Sequence, residues 1–177
     1  MRLIKLITPG LVILSMACEV AQLTYNNPLD VEEGEVPALV FSPTTIETSV
    51  GGSAVFEIFA VQVAGVTGIH TQIAFNSTRL GVTNVSPGDF FDDDNQAPMF
   101  FTVPANPSTA VDTLDIYYFY LGDGLTKDGT GNVATVIFNT KMSATSTLEF
   151  TAESEFVDPD DLAIQINSLG QGTVTAQ

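Results

Sequence analysis

Gly68-Ile69-His70-Thr71-Gln72-Ile73-Ala74-Phe75-Asn76 alternates residue by residue. On an extended chain Ile69, Thr71, Ile73 and Phe75 share one face, and His70, Gln72 and Ala74 share the other. Successive side chains of a strand point to opposite sides, so this pattern predicts a strand with one face buried and one face wet. Working outward, the same grammar recurs. Runs rich in Val, Ile, Thr and Phe predict strands over 38–41, 45–50, 53–63, 79–85, 99–103, 113–121, 132–141, 146–153, 162–167 and 171–176. Ser42-Pro43, Gly51-Gly52, Pro87-Gly88-Asp89 and Asp128-Gly129 punctuate them as turns. In 132–138, Val133, Thr135 and Ile137 oppose Ala134, Val136 and Phe138, so both faces are semi-apolar, as expected of a strand covered on both sides or at a sheet centre. No amphipathic helix of about 12 residues is present, and no internal repeat. The expected fold is all-β: a two-sheet sandwich with jelly-roll topology and about nine to eleven strands, occupying residues 38–177 as one domain.

Composition agrees with this. The chain has 177 residues, 45% of them hydrophobic and only 15% charged, against about 25% charged in an average globular protein. Thr, Ser, Asn and Gly fill the difference, which suits strands and turns. The charge is one-sided, with 21 Asp or Glu against 5 Lys or Arg. All 21 acids follow residue 18, whereas Arg2 and Lys5 precede it. Removal of the first seventeen residues leaves 3 basic residues against 21 acids, a net charge of −18. Such a field repels nucleic acid and anionic headgroups. It suits a cationic partner, bound calcium or adaptation to high salt.

Cys18 is the single cysteine, so an internal disulfide and a zinc cluster are excluded. Its surroundings explain it. Arg2 and Lys5 form a short positive region, and residues 6–14 are mostly apolar but too short for the roughly 20 residues a membrane helix needs. Residues 1–18 read as a lipoprotein signal peptide. Leu14-Ser15-Met16-Ala17-Cys18 resembles a lipobox, in which Cys18 is diacylated and becomes the new N-terminus. The leucine stands one place further from the cysteine than is usual. Ser15-x-Ala17 also satisfies the small-residue rule of ordinary signal peptidase, which would cut after Ala17. Acyl chains contribute about 0.8 kcal/mol per buried CH2, so two or three of them anchor a domain firmly. By resemblance to proteobacterial lipoproteins, Glu19 in place of Asp after the cysteine implies an outer-membrane or cell-surface location. Residues 19–37, with Pro28, Asp30, Glu32, Glu33, Glu35 and Pro37, read as a flexible acidic tether.

Five groups of residues stand in order along the chain: Phe41-Ser42-Pro43 with Val50-Gly51-Gly52, then Gly68 to Asn76 with Leu80, then Pro87-Gly88-Asp89-Phe90-Phe91, then Thr126-Lys127-Asp128-Gly129 ahead of Val133 to Phe138, and last Gly172-Thr173-Val174. Taken together, they resemble the cohesin family, the β-sandwich modules of cellulosome scaffolds and of many bacterial surface proteins. The resemblance covers about residues 38–176, and Asn76-Ser77 stands where the family has Asp-Pro. It implies a binding module that docks a protein partner on one sheet face, dockerin-bearing polysaccharide-degrading enzymes being the family's partners. No paired Asp-x-Asn-x-Asp-Gly loops occur, so this chain would be the receptor half. Related sandwich modules bind carbohydrate directly, and a structural surface role without a dedicated ligand is the third reading. A monomer with no required cofactor is expected.

The candidate partner-binding residues are His70, Gln72, Asp115, Tyr117 and Phe119. In 113–121, Asp115, Tyr117 and Phe119 alternate with Leu114, Ile116, Tyr118 and Tyr120. An unpaired buried carboxylate is costly, so the Asp115 face is assigned outward, leaving Tyr117 and Phe119 exposed. The resemblance implies that His70 and Gln72 lie on the neighbouring strand of that face. Asp89, Asp92, Asp93 and Asp94 form a candidate calcium loop, although their spacing is not that of an EF-hand. Catalysis is not expected. With one histidine, no Gly-x-Ser-x-Gly, no P-loop, no dinucleotide motif and no tryptophan, the chain lacks the usual reactive arrangements.

Lipid attachment is tested by Cys18→Ser. Expressed in a bacterial host that processes lipoproteins, the natural chain should partition into the membrane fraction and the variant should not. Equal partitioning of the two would contradict lipidation.

Overall fold

The computed structural model describes residues 27–92, 96–104, 110–122 and 124–177. The signal peptide with Cys18, the first part of the tether, Asp93 and Asp94 lie outside these residues. Thirteen strands form among the described residues: β1 (Ala38–Ser42), β2 (Thr45–Thr48), β3 (Ser53–Val66), β4 (Gly68–Asn76), β5 (Leu80–Pro87), β6 (Met99–Val103), β7 (Val111–Phe119), β8 (Lys127–Thr140), β9 (Ala144–Phe150), β10 (Glu155–Val157), β11 (Ala163–Ile164), β12 (Ser168–Leu169) and β13 (Gln171–Ala176). Five strands make one sheet in the order β12-β1-β3-β8-β5. The other eight make the second sheet, in which β7 lies along one edge of β4 and carries β6 beyond it. The opposite edge of β4 is shared by β10 and β9, and β13 and β2 continue from β9. The result is the expected two-sheet, all-β sandwich with jelly-roll topology.

The strand count exceeds the expectation for two local reasons. The predicted strand 146–153 is interrupted at 151–154, where the chain bulges away from β4 and resumes as β10. Main-chain groups of Gln72 stranded by that gap are recovered by Ser154 Oγ, which accepts from Gln72 N at 3.0 Å, and by Thr151 N, which donates to Gln72 O at 2.9 Å. The predicted strand 162–167 instead crosses between sheets, since β11 pairs with β10 whereas β12 pairs with β1. Asp128-Gly129, expected as a turn, lies inside β8. The β3–β8 ladder shifts register at Ala60/Val63 and again at Val63/Val66. Gln62 and Gly65 on β3 and Gly129 on β8 adopt positive φ at those shifts. Asp128 Oδ1 accepts from Gly65 N at 2.6 Å, so side-chain bonding sustains the pairing through the bulges.

Apolar faces meet between the sheets. Ile69, Thr71, Ile73 and Phe75 are each 4% exposed or less, as the alternation of β4 requires. Phe41 of the five-stranded sheet stacks on Phe150 of the other at 4.2 Å, and an edge-to-face chain runs from Phe41 through Phe56 and Phe138 to Phe75. One end is closed by Phe90 and Phe91, packed against Tyr118 and Tyr120. Both phenols reach main-chain acceptors, Tyr118 Oη donating to Gly88 O and Tyr120 Oη to Phe91 O, each at 2.9 Å. Gly88 is required here by close approach. A Cβ on it would stand 2.2 Å from the Asn132 carbonyl oxygen. A second, smaller cluster (Ala38, Val40 and Val61) lies on the outer side of the five-stranded sheet and is covered by Leu29, Val31 and Val36. Described residues 27–37 of the acidic segment therefore rest on the sandwich, and Asn167 N bonds Pro37 O at 2.8 Å.

Phe138→Ala should cost about 3–5 kcal/mol, and Gly88→Ala about 1–3 kcal/mol through overpacking, both read by urea unfolding. Little loss in either would contradict the packing described. Burial, with the nearby Asp92 and Tyr120, pushes the Tyr118 phenol up to about 12. An unfolded tyrosine ionises near 10, so the folded state retains this proton between pH 10 and 12. Its contribution is complete below pH 10 and is lost as pH rises towards 12, roughly 2–3 kcal/mol in all. Tyr118→Phe should flatten the alkaline fall in stability between those values; an unchanged pH profile would contradict the assignment.

Candidate functional site

Five residues singled out in the sequence meet on the outer face of the eight-stranded sheet. Register alone fixes their arrangement. One cross-strand row reads Val157–Gly68–Phe119–Met99, the next Glu155–His70–Tyr117–Phe101, and the third Gln72–Asp115–Val103. Directly opposed residues in neighbouring strands touch, so each row is a line of contacts.

The middle row is aromatic. His70 stacks on Tyr117 with centroids 4.3 Å apart and planes 1° from parallel. Tyr117 stacks in turn on Phe101 at 4.7 Å and 16°. These spacings match the roughly 4.8 Å between strands, so the rings stand upright on the sheet with their faces turned to one another and their edges outward. Phe119 meets Phe101 edge-on at 6.1 Å. Tyr117 and Phe119, expected to be exposed, are half-buried. The reason is Phe101, which was not singled out although Met99, Phe101 and Val103 alternate with Phe100 and Thr102. Those three are 44%, 44% and 49% exposed and form the apolar margin of the face.

The third row ends in Val103, but its Gln72 and Asp115 form a polar network with His70 and Thr151. Asp115 Oδ1 accepts from His70 Nε2 at 2.9 Å and from Gln72 Nε2 at 2.8 Å. Gln72 Oε1 accepts from Thr151 Oγ1 at 2.8 Å. Because an ionised carboxylate only accepts, Nε2 of His70 carries the proton in this contact. Asp115 thus faces outward with partners, which is the arrangement its desolvation cost demands. Thr151 is a further member that the sequence did not reveal, since it reaches Gln72 only through the interruption between β9 and β10. Beyond β4 the face changes character to Thr147, Glu149, Thr173 and Thr175, with Gln171 Nε2 bonding Glu149 Oε1 at 2.7 Å.

The charges nearest the ring row are those of Asp115 and Glu155. Burial raises the Tyr117 phenol above its ordinary value, and the charges of Asp115 and Glu155 raise it further. Arg79, Lys127 and Lys141 donate to main-chain carbonyls of Thr145, Asp92 and Ser77 at 2.7, 3.1 and 2.7 Å. Asp89 and Asp92 lie apart from the aromatic face, in the loop after β5, where Asp89 Oδ1 accepts from Asn132 N at 3.3 Å. Asp93 and Asp94 lie outside the described residues. Among the described residues no group of three His, Cys, Asp or Glu is gathered as a metal site. No described helix is long and apolar enough to cross a membrane.

No family model and no curated protein sequence matches the chain. Solved structures do. The seventh ScaB type I cohesin of Pseudobacteroides cellulosolvens superposes with a TM-score of 0.60 at 19% identity, covering 79% of this chain and 91% of that one. A type II cohesin–X–dockerin complex from Acetivibrio cellulolyticus gives 0.62 at 14% identity, with 79% and 98% covered. A non-cellulosomal cohesin from the hyperthermophilic archaeon Archaeoglobus fulgidus gives 0.57 at 16% identity, with 79% and 90% covered. The resemblance carried by the sequence motifs is thereby matched in three dimensions: the chain carries a cohesin-like β-sandwich.

Proposed function

We propose that this chain is a non-catalytic receptor module that docks a protein partner on the outer face of β6, β7, β4 and β10. The observation that carries the reading is the upright ring row His70–Tyr117–Phe101, continued by Met99, Phe119 and Val103 and bordered by Asp115, Gln72 and Glu155. Rigid aromatics at the centre of a face with satisfied polar neighbours are the usual anchors of a protein interface. The cohesin-like fold supports the same reading, and structures with this fold include cohesin–dockerin complexes. A dockerin-like module on a polysaccharide-degrading enzyme is the partner we propose. A net charge of −18 after export favours a partner with a basic contact surface. Attachment through lipid on Cys18 belongs to the same proposal. The segment 27–37 rests on the five-stranded sheet, on the side opposite the docking face.

Direct carbohydrate binding draws less support from this geometry. Sugars stack on open ring faces, whereas both faces of Tyr117 are covered, by His70 and by Phe101.

Immobilised chain should capture a protein bearing paired calcium loops from the host's secreted proteins, and chelation of calcium should release it. Phe101→Ala or Tyr117→Ala should weaken capture at least tenfold, the loss expected for a central aromatic anchor. Undiminished capture by both variants would move the interface elsewhere. No capture by the natural chain, with retardation on cellulose, xylan or chitin, would favour the carbohydrate reading; neither would favour a structural role.

A further inference from the structure

β6 is the outermost strand on its side of the eight-stranded sheet. Among the described residues it pairs with β7 alone, so one side of its main chain has no strand against it. It is also unguarded. Natural edge strands are usually blunted by charge. Met99-Phe100-Phe101-Thr102-Val103 contains no charged residue, in a chain with 21 acids. Phe100 is spent on the core, edge-on to Tyr118 at 5.4 Å. Met99, Phe101 and Val103 face outward and stay almost half exposed. Pro98 and Pro104 bracket the strand. Neither has an N–H to donate, so an added ladder is confined to the five residues between them.

We propose that β6 pairs with β6 of a second copy of this chain, antiparallel about a two-fold axis at Phe101. The strand is self-complementary in that register. Phe101 faces the second copy's Phe101, Met99 faces its Val103, and Phe100 faces its Thr102. Opposed side chains of an antiparallel pair share a face, so the outward rows run on across the axis. The row His70–Tyr117–Phe101 of one copy meets Phe101–Tyr117–His70 of the other, and Gln72–Asp115–Val103 runs into Met99–Phe119–Gly68. The Asp115 carboxylates of the two copies fall in different rows and do not oppose one another. A net charge of −16 sets two copies against each other, and the contact falls on a strand that carries none of it. The match in length, in bracketing prolines and in side chains is met by β6 itself. Because the same strand is used on both sides, pairing closes at two copies. Five paired residues span about 17 Å, a small contact, so the dimer is weak and depends on concentration. Self-pairing replaces the monomer expected from the sequence and requires no docking partner.

Sedimentation equilibrium of the full chain carrying Cys18→Ser should show a mass that rises from one copy to two with protein concentration. Association should strengthen at least tenfold between about 0.05 and 0.5 M salt, as screening removes the repulsion between two acidic copies. Met99→Glu with Val103→Glu sets like charges opposite one another across the axis and should leave a single copy with an unchanged melting temperature. Amide exchange of the same Cys18→Ser chain, without the glutamates, decides the matter should that variant fail to fold. The edge-facing amides of residues 99–103 should slow as concentration rises, while those of β2, at the far edge of the sheet, stay unchanged. A one-copy mass at every concentration and salt, or a dimer that survives both glutamates, would overturn self-pairing. Slowing of β6 that appears only with a captured partner, at a constant one-copy mass of the chain alone, would also overturn it and assign the edge to a strand of that partner.

Discussion

The register of β4 is the constraint on which the rest of the molecule depends. Its side chains alternate with a period of two, so a slip of one residue would exchange its faces completely. Such a slip would bury His70 and Gln72 and expose Ile73 and Phe75. The core forbids it, because Ile69, Ile73 and Phe75 fill the space between the sheets. With β4 fixed, β7 and β6 are fixed beside it, and β9 and β10 follow on its other edge. The rows of the outer face are a consequence of core packing. Hydrophobic burial sets the pairing, and the pairing sets which rings stack.

That dependence explains how a functional surface can be rigid without being buried. His70, Tyr117 and Phe101 lie on three different strands and touch only because the strands are held about 4.8 Å apart. Stacking restricts their rotamers before any partner arrives, which lowers the entropy lost on binding. Asp115 works in the same direction by drawing His70 and Gln72 onto one oxygen. The remainder of the sheet, from β9 to β2, presents threonines and Glu149 and lacks such a ring row. Recognition is thereby concentrated on one half of one face.

How much of this was legible depended on distance along the chain. The two-sheet fold, the inward face of β4 and the outward setting of Asp115, Tyr117 and Phe119 follow from alternation within single segments. The interior position of β8, between β3 and β5, agrees with its two semi-apolar faces. Partnerships between distant segments did not show in that way. Thr151 bonds Gln72 across the interruption at 151–154, which nothing in the run 146–153 announces. Phe101 was legible as a strand residue but not as the cover of Tyr117, because alternation within 99–103 does not give its register against 113–121. Asp128-Gly129 carries an ordinary turn signal and was overridden by paired bulges in two long strands. The acids of 19–37 carry the signal of a tether, yet in its described part, 27–37, Leu29, Val31 and Val36 pack on the sandwich.

The most direct measurement of the central claim is an amide hydrogen-exchange footprint of the chain with and without its captured partner. Protection should be confined to β4, β6, β7 and β10, with the largest slowing around His70, Phe101 and Tyr117, and with no change on the five-stranded sheet. Protection centred instead on β1, β3, β8 or β5, or spread evenly over both sheets, would contradict the assignment of the aromatic face as the docking surface.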